Sequence, residues 1–379
     1  MLSKNYVSAV AILISSIVGV GMFTLPFIAS KTGLLTIIFY FIVLGFIQHW
    51  FHKVYALIVL STKKQHRLPG YAEKYLGKKN KKILLILSMI AGYGALLAYT
   101  IIGGNFLFQL LNPYLGGSQF FYTSILLALR SLIILFGLTW VTRVEVILTG
   151  GLIGSMIVIA AVASGEGVIS NLSLFNSNHV MLAYGPIFFA IAGTLAVNDM
   201  CLALKNEKDR IVSALRTGLI ISIAIMIIFI IAVTSISGVD TSPDALGGLK
   251  TFVDPIFYTV LLIIGVVTVT TSFFAVAEAV QEMYVWDYKI NKYLAWFLVA
   301  AVPYLFYLLG AHDITKVIAL SGAITGGLLG GFYLYLGLRV KENPEITSPI
   351  KVFLSPLAVY GVSFLLLIGL GYQLWEIFS

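Results

Sequence analysis

Apolar runs of about twenty residues, separated by short polar stretches, organise this 379-residue chain. Eleven such segments fall at approximately 6–29, 33–60, 83–111, 120–140, 144–164, 181–204, 211–237, 252–284, 293–310, 314–337 and 352–376. Each is long enough to carry a helix across the roughly 30 Å hydrocarbon core of a bilayer. The second and eighth exceed one perpendicular crossing, so they are expected to tilt or to extend beyond the lipid. Apolar residues occupy every face, which leaves little amphipathic periodicity to mark the segment ends.

Two segments are interrupted. In the first, Ile17-Val18-Gly19-Val20-Gly21-Met22 places two glycines near the centre, and Pro26 follows. Glycine costs about 1 kcal/mol relative to alanine inside a helix. A helix broken at mid-membrane exposes N–H and C=O groups that hydrocarbon cannot satisfy, so the break must face protein or a water-lined cavity. The plainer use of such glycines is a close helix–helix contact. The sixth segment carries Gly193-Thr194 near its centre, with polar Asn198-Asp199 beyond. Interruptions five segments apart are what an inverted repeat produces, and in secondary transporters they frame the binding site. The expectation is an all-α integral membrane protein: one transporter domain over 1–379, with repeat one about 6–164, repeat two about 181–337 and an extra helix about 352–376.

Composition supports this class. Hydrophobic residues make up 59% of the chain and charged residues 11%, where a soluble domain carries about 25% charge. Mean hydropathy is +0.99. The single cysteine, Cys201, excludes an internal disulfide. Of the 24 lysines and arginines, three (Lys31, Lys250, Lys316) fall on one side of the predicted topology, Arg130 lies within a span, and the other twenty fall on the opposite side. By the positive-inside rule the N-terminus is cytoplasmic and the C-terminus outside, in a multi-pass protein of the cytoplasmic membrane. The net charge of +8 is therefore a topology signal and not a nucleic-acid footprint. The basic loop from Ser61 to Lys82 suits anionic lipid, and ordinary solvated charge explains it equally well. Met1 to Asn5 runs directly into the first span with no cleavage site, as an uncleaved first helix does.

The paired breaks suit a zwitterion. Amides of Val20, Gly21 and Met22, where a half-helix begins, carry partial positive charge and can hold a carboxylate. Carbonyls of Ile17 and of Phe189 to Ala192, with Gly193 and Thr194 beside them, can meet an ammonium. In the eighth segment, Thr268-Val269-Thr270-Thr271-Ser272 forms a hydroxyl patch. Such hydroxyls often bond back to their own helix. Alternatively, Thr271 and Ser272 join the carbonyls of Ser15 and Val18 in an all-oxygen cation site. Arg130, Asp199 and Glu278 lie inside spans, where charge is expensive and usually functional. Each is a candidate proton carrier or gate, and Arg130 is expected to pair with a carboxylate of segment six or eight or to line the water path. His49 and His52 share a helix face beside Gln48 but lack a third ligand, so no metal site is expected beyond a sodium ion. No nucleotide loop, zinc-protease motif or nucleophile elbow occurs. The chain reads as neither an enzyme nor a cofactor binder.

The segment Gly19-Val20-Gly21-Met22-Phe23-Thr24-Leu25-Pro26 resembles the first-helix signature of the amino acid/auxin permease family, within the amino acid–polyamine–organocation superfamily. Leu68-Pro69-Gly70-Tyr71-Ala72-Glu73-Lys74-Tyr75-Leu76-Gly77 is similar to the loop after the second helix in bacterial members, and Thr271-Ser272-Phe273-Phe274 to a patch of their eighth helix. The likeness covers nearly the whole chain and is greatest to the tyrosine/tryptophan (hydroxy and aromatic amino acid) permease branch. It implies a leucine-transporter-like fold of 5+5 inverted repeats plus one helix, and it implies that Tyr99 in the third span closes over the substrate. That branch usually carries a bulkier residue at the sixth-helix break and a proline just after it. Gly193-Thr194 and Asn198-Asp199 stand there instead, which leaves the substrate side chain open. The fifth segment has no lysine to replace a bound cation, as some proton-coupled relatives have. The resulting expectation is a cation-coupled symporter importing an aromatic or large neutral amino acid. The alternative is an amino-acid-binding membrane sensor without net transport. Sodium and proton both remain open as the coupling ion. The partners expected are the amino acid and the lipid bilayer, with no nucleic acid and no obligate protein partner.

Overall fold

A computed structural model describes residues 3–136, 154, 165, 167–344, 346 and 350–378. The fifth expected segment, 144–164, lies outside the described residues but for 154, and so does the end of the fourth. Every other expected segment coincides with a helix or a helix pair. The first segment divides into α1 (Lys4–Ile17) and α2 (Gly21–Thr32), bent by 57° at the break. There follow α3 (Leu34–Leu60), a short α4 (Leu68–Leu76), α5 (Lys78–Leu115) and α6 (Gln119–Phe136). The sixth segment divides into α7 (Tyr184–Ala190) and α8 (Val197–Ala203). Then come α9 (Ile211–Ser237), α10 (Pro255–Glu282), α11 (Lys292–Leu308), α12 (Ile314–Ile324), α13 (Gly330–Glu342) and α14 (Pro356–Phe378). Among the described residues, seven helical stretches are long and apolar enough to cross a membrane, and the bent pair makes an eighth.

Local chemistry sets the ends. Ser3 caps α1 by accepting from the Tyr6 N–H, and Asp254 accepts from Ile256 and Phe257 at the start of α10, where Pro255 supplies the fixed first φ. Asn291 and Asp313 cap α11 and α12 in the same way. Two spans contain π turns, Met283–Asp287 at the end of α10 and Thr325–Leu329 between α12 and α13. Such turns rotate the following residues out of register and are frequent at functional sites.

The halves α1, α2, α7 and α8 occupy the middle of the molecule, in contact with α3, α9, α10 and α12, and with α5 through Phe23 and Phe106. Large apolar side chains face outwards on the surrounding helices, among them Phe46 at 76% and Leu357 at 86% exposure, as on a surface solvated by lipid tails. The tightest contact joins α7 to α12. A β-carbon on Gly185 would strike the Ala319 carbonyl, and one on Gly322 would strike the Gly185 carbonyl, so the two backbones touch through glycine. Gly322→Ala is therefore expected to destabilise the protein by about 1–3 kcal/mol through overpacking. Gly361→Ala, with nothing within 4 Å of the added carbon, serves as the neutral control. Thermal unfolding of the purified variants in detergent checks the difference.

Candidate binding site at the paired helix breaks

Helix α1 ends because Val18, after donating to the Ile14 carbonyl at 2.8 Å, leaves helical geometry at φ −79° and ψ 85°. Met22 then donates to Gly19 O at 3.2 Å and Phe23 to Val20 O at 3.1 Å, which starts α2. The N–H groups of Gly19, Val20 and Gly21 have no protein acceptor among the described residues, and the carbonyls of Ser15, Ser16 and Ile17 have no donor. These are the orphan groups that any helix end leaves. Across from them, α7 closes with Ile191 donating to Ile187 O at 3.0 Å and Ala192 to Phe189 O at 3.3 Å. A turn at Thr194–Ala196 then leads into α8. The two breaks touch: a β-carbon on Gly21 would lie 2.7 Å from Ala190 Cα, and one on Gly193 would lie 2.7 Å from Ile17 Cγ1.

A cavity of about 110 Å³ opens on these breaks. Of the residues expected at a substrate, it is lined by Ile17, Val20, Gly21, Tyr99, Phe189, Ala192 and Thr194. Met22 and Gly193 are not in its wall. Met22 is buried in the core with its N–H bonded to Gly19, and Gly193 packs beneath Ile17 and Leu13. The Phe189 carbonyl, expected to be open, already accepts from Ala192. Sequence reading missed Tyr55, Arg67, Ser88 and Tyr333, which line the part of the cavity nearer the basic loops. Their only sequence signal is a polar tip in or beside an apolar run.

The hydroxyl patch divides its tasks. Thr271 donates back to the Thr268 carbonyl at 2.9 Å, the plainer of the two expected roles. Ser272 faces the break: a β-carbon on Gly19 would sit 3.2 Å from its Oγ and 3.1 Å from the Tyr99 hydroxyl. Ser15 turns its own hydroxyl to Ile12 O at 3.0 Å, which leaves its carbonyl as the group on offer. Thr270 serves Arg130, accepting from Nη2 at 2.7 Å and Nε at 3.2 Å.

Arg130 thus has a different partner from the expected carboxylate. Its Nη1 donates to the Tyr99 carbonyl at 3.0 Å, its guanidinium lies 5.1 Å from the Phe273 ring centroid, and it is 1% exposed. Among the described residues no carboxylate pairs with it. A hydroxyl, a carbonyl dipole and a ring face replace the counter-charge. The guanidinium pins α6 to α5 and α10 beside the break and does not line the cavity.

Asp199 and Glu278 fall near another cation, Arg67, which lies at the entry to α4. Arg67 pairs with Glu282 at 2.6 Å and donates to the Leu195 carbonyl at 2.9 Å, and its guanidinium lies 5.8 Å from the Trp286 ring centroid. Burial is the largest influence on the Arg67 pKa and pushes it down, but the Glu282 charge, with Tyr55, Asp199 and the hydrogen bond to Glu282, together outweigh it and the net shift is upward, so the residue stays charged. Asp199 is exposed and Glu278 half-buried, both within electrostatic reach of Arg67. The same loop is fastened twice more. Asn198 donates to His66 O at 3.1 Å and accepts from the Tyr71 hydroxyl at 3.3 Å, while Gly70 N–H and His66 Nδ1 reach Asp287 at 3.0 and 3.2 Å. The segment from His66 to Tyr71 therefore forms the floor of the cavity on the basic face. On the opposite face lies a wider hollow of about 900 Å³, bordered by Lys31, His179, Asp244 and His312. It shares no lining residue with the cavity. Phe23, one turn of α2 from each, meets Phe106 and Phe229 edge-to-face at 5.1 and 5.8 Å.

A family model described as the tryptophan/tyrosine permease family matches residues 2–328. The chain belongs to this family. It is a family of membrane transporters and not of enzymes. Among curated relatives, the vacuolar amino acid transporter 2 of Saccharomyces cerevisiae is 31% identical over 94 residues, a stretch covering 24% of this chain and 19% of that protein. The chain thus spans about a fifth of the curated relative it matches. Three solved structures share the fold at low identity. MhsT in complex with L-phenylalanine aligns with a TM-score of 0.66 at 16% identity, over 99% of this chain and 98% of that one. The nucleobase-cation-symport-1 family transporter Mhp1, closed with bromovinylhydantoin bound, gives 0.64 at 14% identity over 98% and 90%. The Eremococcus coleocola manganese transporter, in complex with an aromatic bis-isothiourea compound, gives 0.65 at 12% identity over 99% and 87%. This permease family member is thus an all-helical, multi-pass membrane protein whose structural neighbours have the leucine-transporter-like fold.

Three outcomes are expected from this geometry. Gly19→Val puts a branched side chain between Tyr99 and Ser272, so ligand affinity is expected to fall by at least about 100-fold, or some 2.7 kcal/mol, with the unfolding temperature little changed. Gly21→Val, by contrast, strikes the Ala190 backbone and is expected to lower thermal stability as well. Arg67→Ala removes the floor. A thiol placed by Ser88→Cys, in a Cys201→Ala background, is then expected to react with a membrane-impermeant reagent from the basic side at least about tenfold faster than with Arg67 present.

Proposed function

We propose that this protein is a cation-coupled symporter importing an aromatic or large neutral amino acid across the cytoplasmic membrane, with its N-terminus and basic loops in the cytoplasm. The observation that carries the reading is the pair of helix breaks, whose unbonded N–H and C=O groups open on one small cavity walled by aromatic rings. The amides of Gly19 to Gly21 sit at the positive end of α2 and suit a carboxylate. The carbonyls of Ile17 and Ala192 suit an ammonium, and Phe189, Tyr55, Tyr99 and Tyr333 suit a ring. No charged side chain is needed for the zwitterion, which matches a site made of backbone. A structural neighbour, MhsT, holds L-phenylalanine.

In this reading the two sets of spans are inverted repeats, and transport exposes the cavity alternately to the two faces. The Phe23 cluster closes it on the outer side and the Arg67 floor on the inner side. The coupling cation sits among the carbonyls of Ser15 and Val18 and the Ser272 hydroxyl, with Thr271 supporting the helix wall. An ion held there favours one conformation by its differential affinity for the two states. Sodium fits a neutral oxygen set. Asp199 and Glu278, beside the Arg67–Glu282 pair, are the places for a transported proton should protons drive the cycle.

Counterflow of labelled tyrosine, phenylalanine, tryptophan and leucine in proteoliposomes tests the function. Saturable exchange of at least one ring substrate is expected, whereas binding without exchange would turn the reading to a sensor. Ser272→Ala is expected to raise the sodium concentration for half-maximal uptake by at least about fivefold at unchanged protein yield. Uptake that ignores sodium, collapses with a protonophore and survives Ser272→Ala moves the coupling site to the carboxylates.

A further inference from the structure

We propose that Gln48 and His52 are positioning residues that turn the Thr194 hydroxyl into a hydrogen donor facing the cavity, and that they thereby select a ring carrying an acceptor oxygen, a phenol, over a bare phenyl. The inference rests on the binding-site reading above.

Gln48 and His52 lie one turn apart on the same face of α3, deep in a segment that is otherwise apolar. They are 1% and 0% exposed, and Thr194 is 7% exposed. The Gln48 amide nitrogen lies 2.9 Å from His52 Nε2 and 3.3 Å from Thr194 Oγ1. Buried polar groups of this kind are costly where lipid surrounds the helix, and an apolar pair would pack α3 against the α7–α8 break without that cost. Simple packing therefore does not account for them.

The hydrogen count gives them a task. An amide nitrogen has two hydrogens and accepts none, and two acceptors stand within its reach. Donating to both fixes His52 as the neutral imidazole with its proton on Nδ1, and Nδ1 has no partner among the described residues. With one hydrogen of Gln48 directed at Thr194 Oγ1, the hydroxyl hydrogen of Thr194 must point elsewhere. Thr194 lines the cavity, and so does Tyr333, whose hydroxyl neighbours it. Directly, or relayed through the Tyr333 hydroxyl, the chain ends in a donor towards the cavity. The carboxylate and ammonium are taken up at Gly19 to Gly21 and at Ile17 and Ala192, so the remaining space, beside Thr194, Tyr55 and Tyr333, receives the substrate side chain. A donor there is satisfied by a phenolic oxygen and left unpaired by phenylalanine. Sites built on a hydrogen bond reject the analogue that lacks it.

The test is competitive uptake of labelled tyrosine and phenylalanine into proteoliposomes, read as the ratio of their kcat/KM values. Wild-type protein is expected to prefer tyrosine by at least about tenfold. In Gln48→Leu the ratio is expected to fall to about one while phenylalanine uptake stays within about twofold. Thr194→Val is expected to lower the ratio likewise, and the double variant to lower it no further. Gln48→Glu guards against a folding failure of the leucine variant: the new carboxylate accepts the Thr194 hydrogen, withdraws it from the cavity and is expected to abolish the preference with a polar residue retained. A preference that survives Gln48→Leu or Gln48→Glu overturns the inference. So does a loss of both substrates in equal measure with unfolding temperature unchanged. Equal use of tyrosine and phenylalanine by the wild type overturns the inference alone, and uptake of neither overturns the proposed function together with it.

Discussion

A peptide group in hydrocarbon has no water to bond with, and the architecture follows from that constraint. Where α1 stops at Ile17 and α7 stops at Ala190, the chain leaves backbone groups without helical partners. They are tolerated because the two breaks are placed against each other, enclosed by α3, α5, α9, α10 and α12, and turned towards one cavity. The same unpaired groups that would destabilise a simple span become the recognition surface. Glycine is required there twice over: at Gly21 so that the Ala190 backbone can approach, and at Gly19 so that Tyr99 and Ser272 can.

Charge in the interior is handled differently at two depths. Arg130 is fully buried and neutralised by dipoles and a ring, an arrangement that holds three helices together without adding an ion pair to the cavity. Arg67 lies at the basic face and is paired with Glu282, in a cluster to which Asp199 and Glu278 add two further carboxyl groups. The first is fixed by three partners from neighbouring helices. The second joins a loop to the end of α10 and to the unwound stretch at Leu195, contacts that can part together when the cavity opens. Depth decides the difference: a buried cation that broke its bonds would have nothing to replace them, whereas one near the loops has water.

Much was legible from the pattern of residues. Segment lengths give the described helices, and the Gly19–Gly21 pair and the single Gly193 give the two breaks to within a residue or two. The resemblance carried by Gly19 to Pro26 agrees with the family that the match over residues 2–328 shows. Inside the breaks the reading was less complete. Met22 and Gly193 were placed with their neighbours on the cavity, but a single residue along a turn rotates a side chain by about 100°. That sends Met22 into the core and Gly193 under Ile17. Thr271 and Ser272 look equivalent in sequence, yet the same rotation gives one to its own helix and the other to the break.

By itself the sequence determined what depends on local composition: the apolar lengths, the basic asymmetry of the loops, the caps, and the points at which a helix cannot continue. Those follow from transfer free energies and backbone preferences that act over a few residues. Which polar groups meet was decided only by the tertiary structure. Arg130 found Thr270 and Tyr99 in place of a carboxylate, Arg67 came to the cavity floor from a loop, and Gln48, bonded to His52, met Thr194 across a helix boundary. These pairings join residues up to about 215 positions apart in the chain. Helix propensity and hydropathy are blind to separations of that size, because only the packing of one helix against another brings such groups within bonding distance.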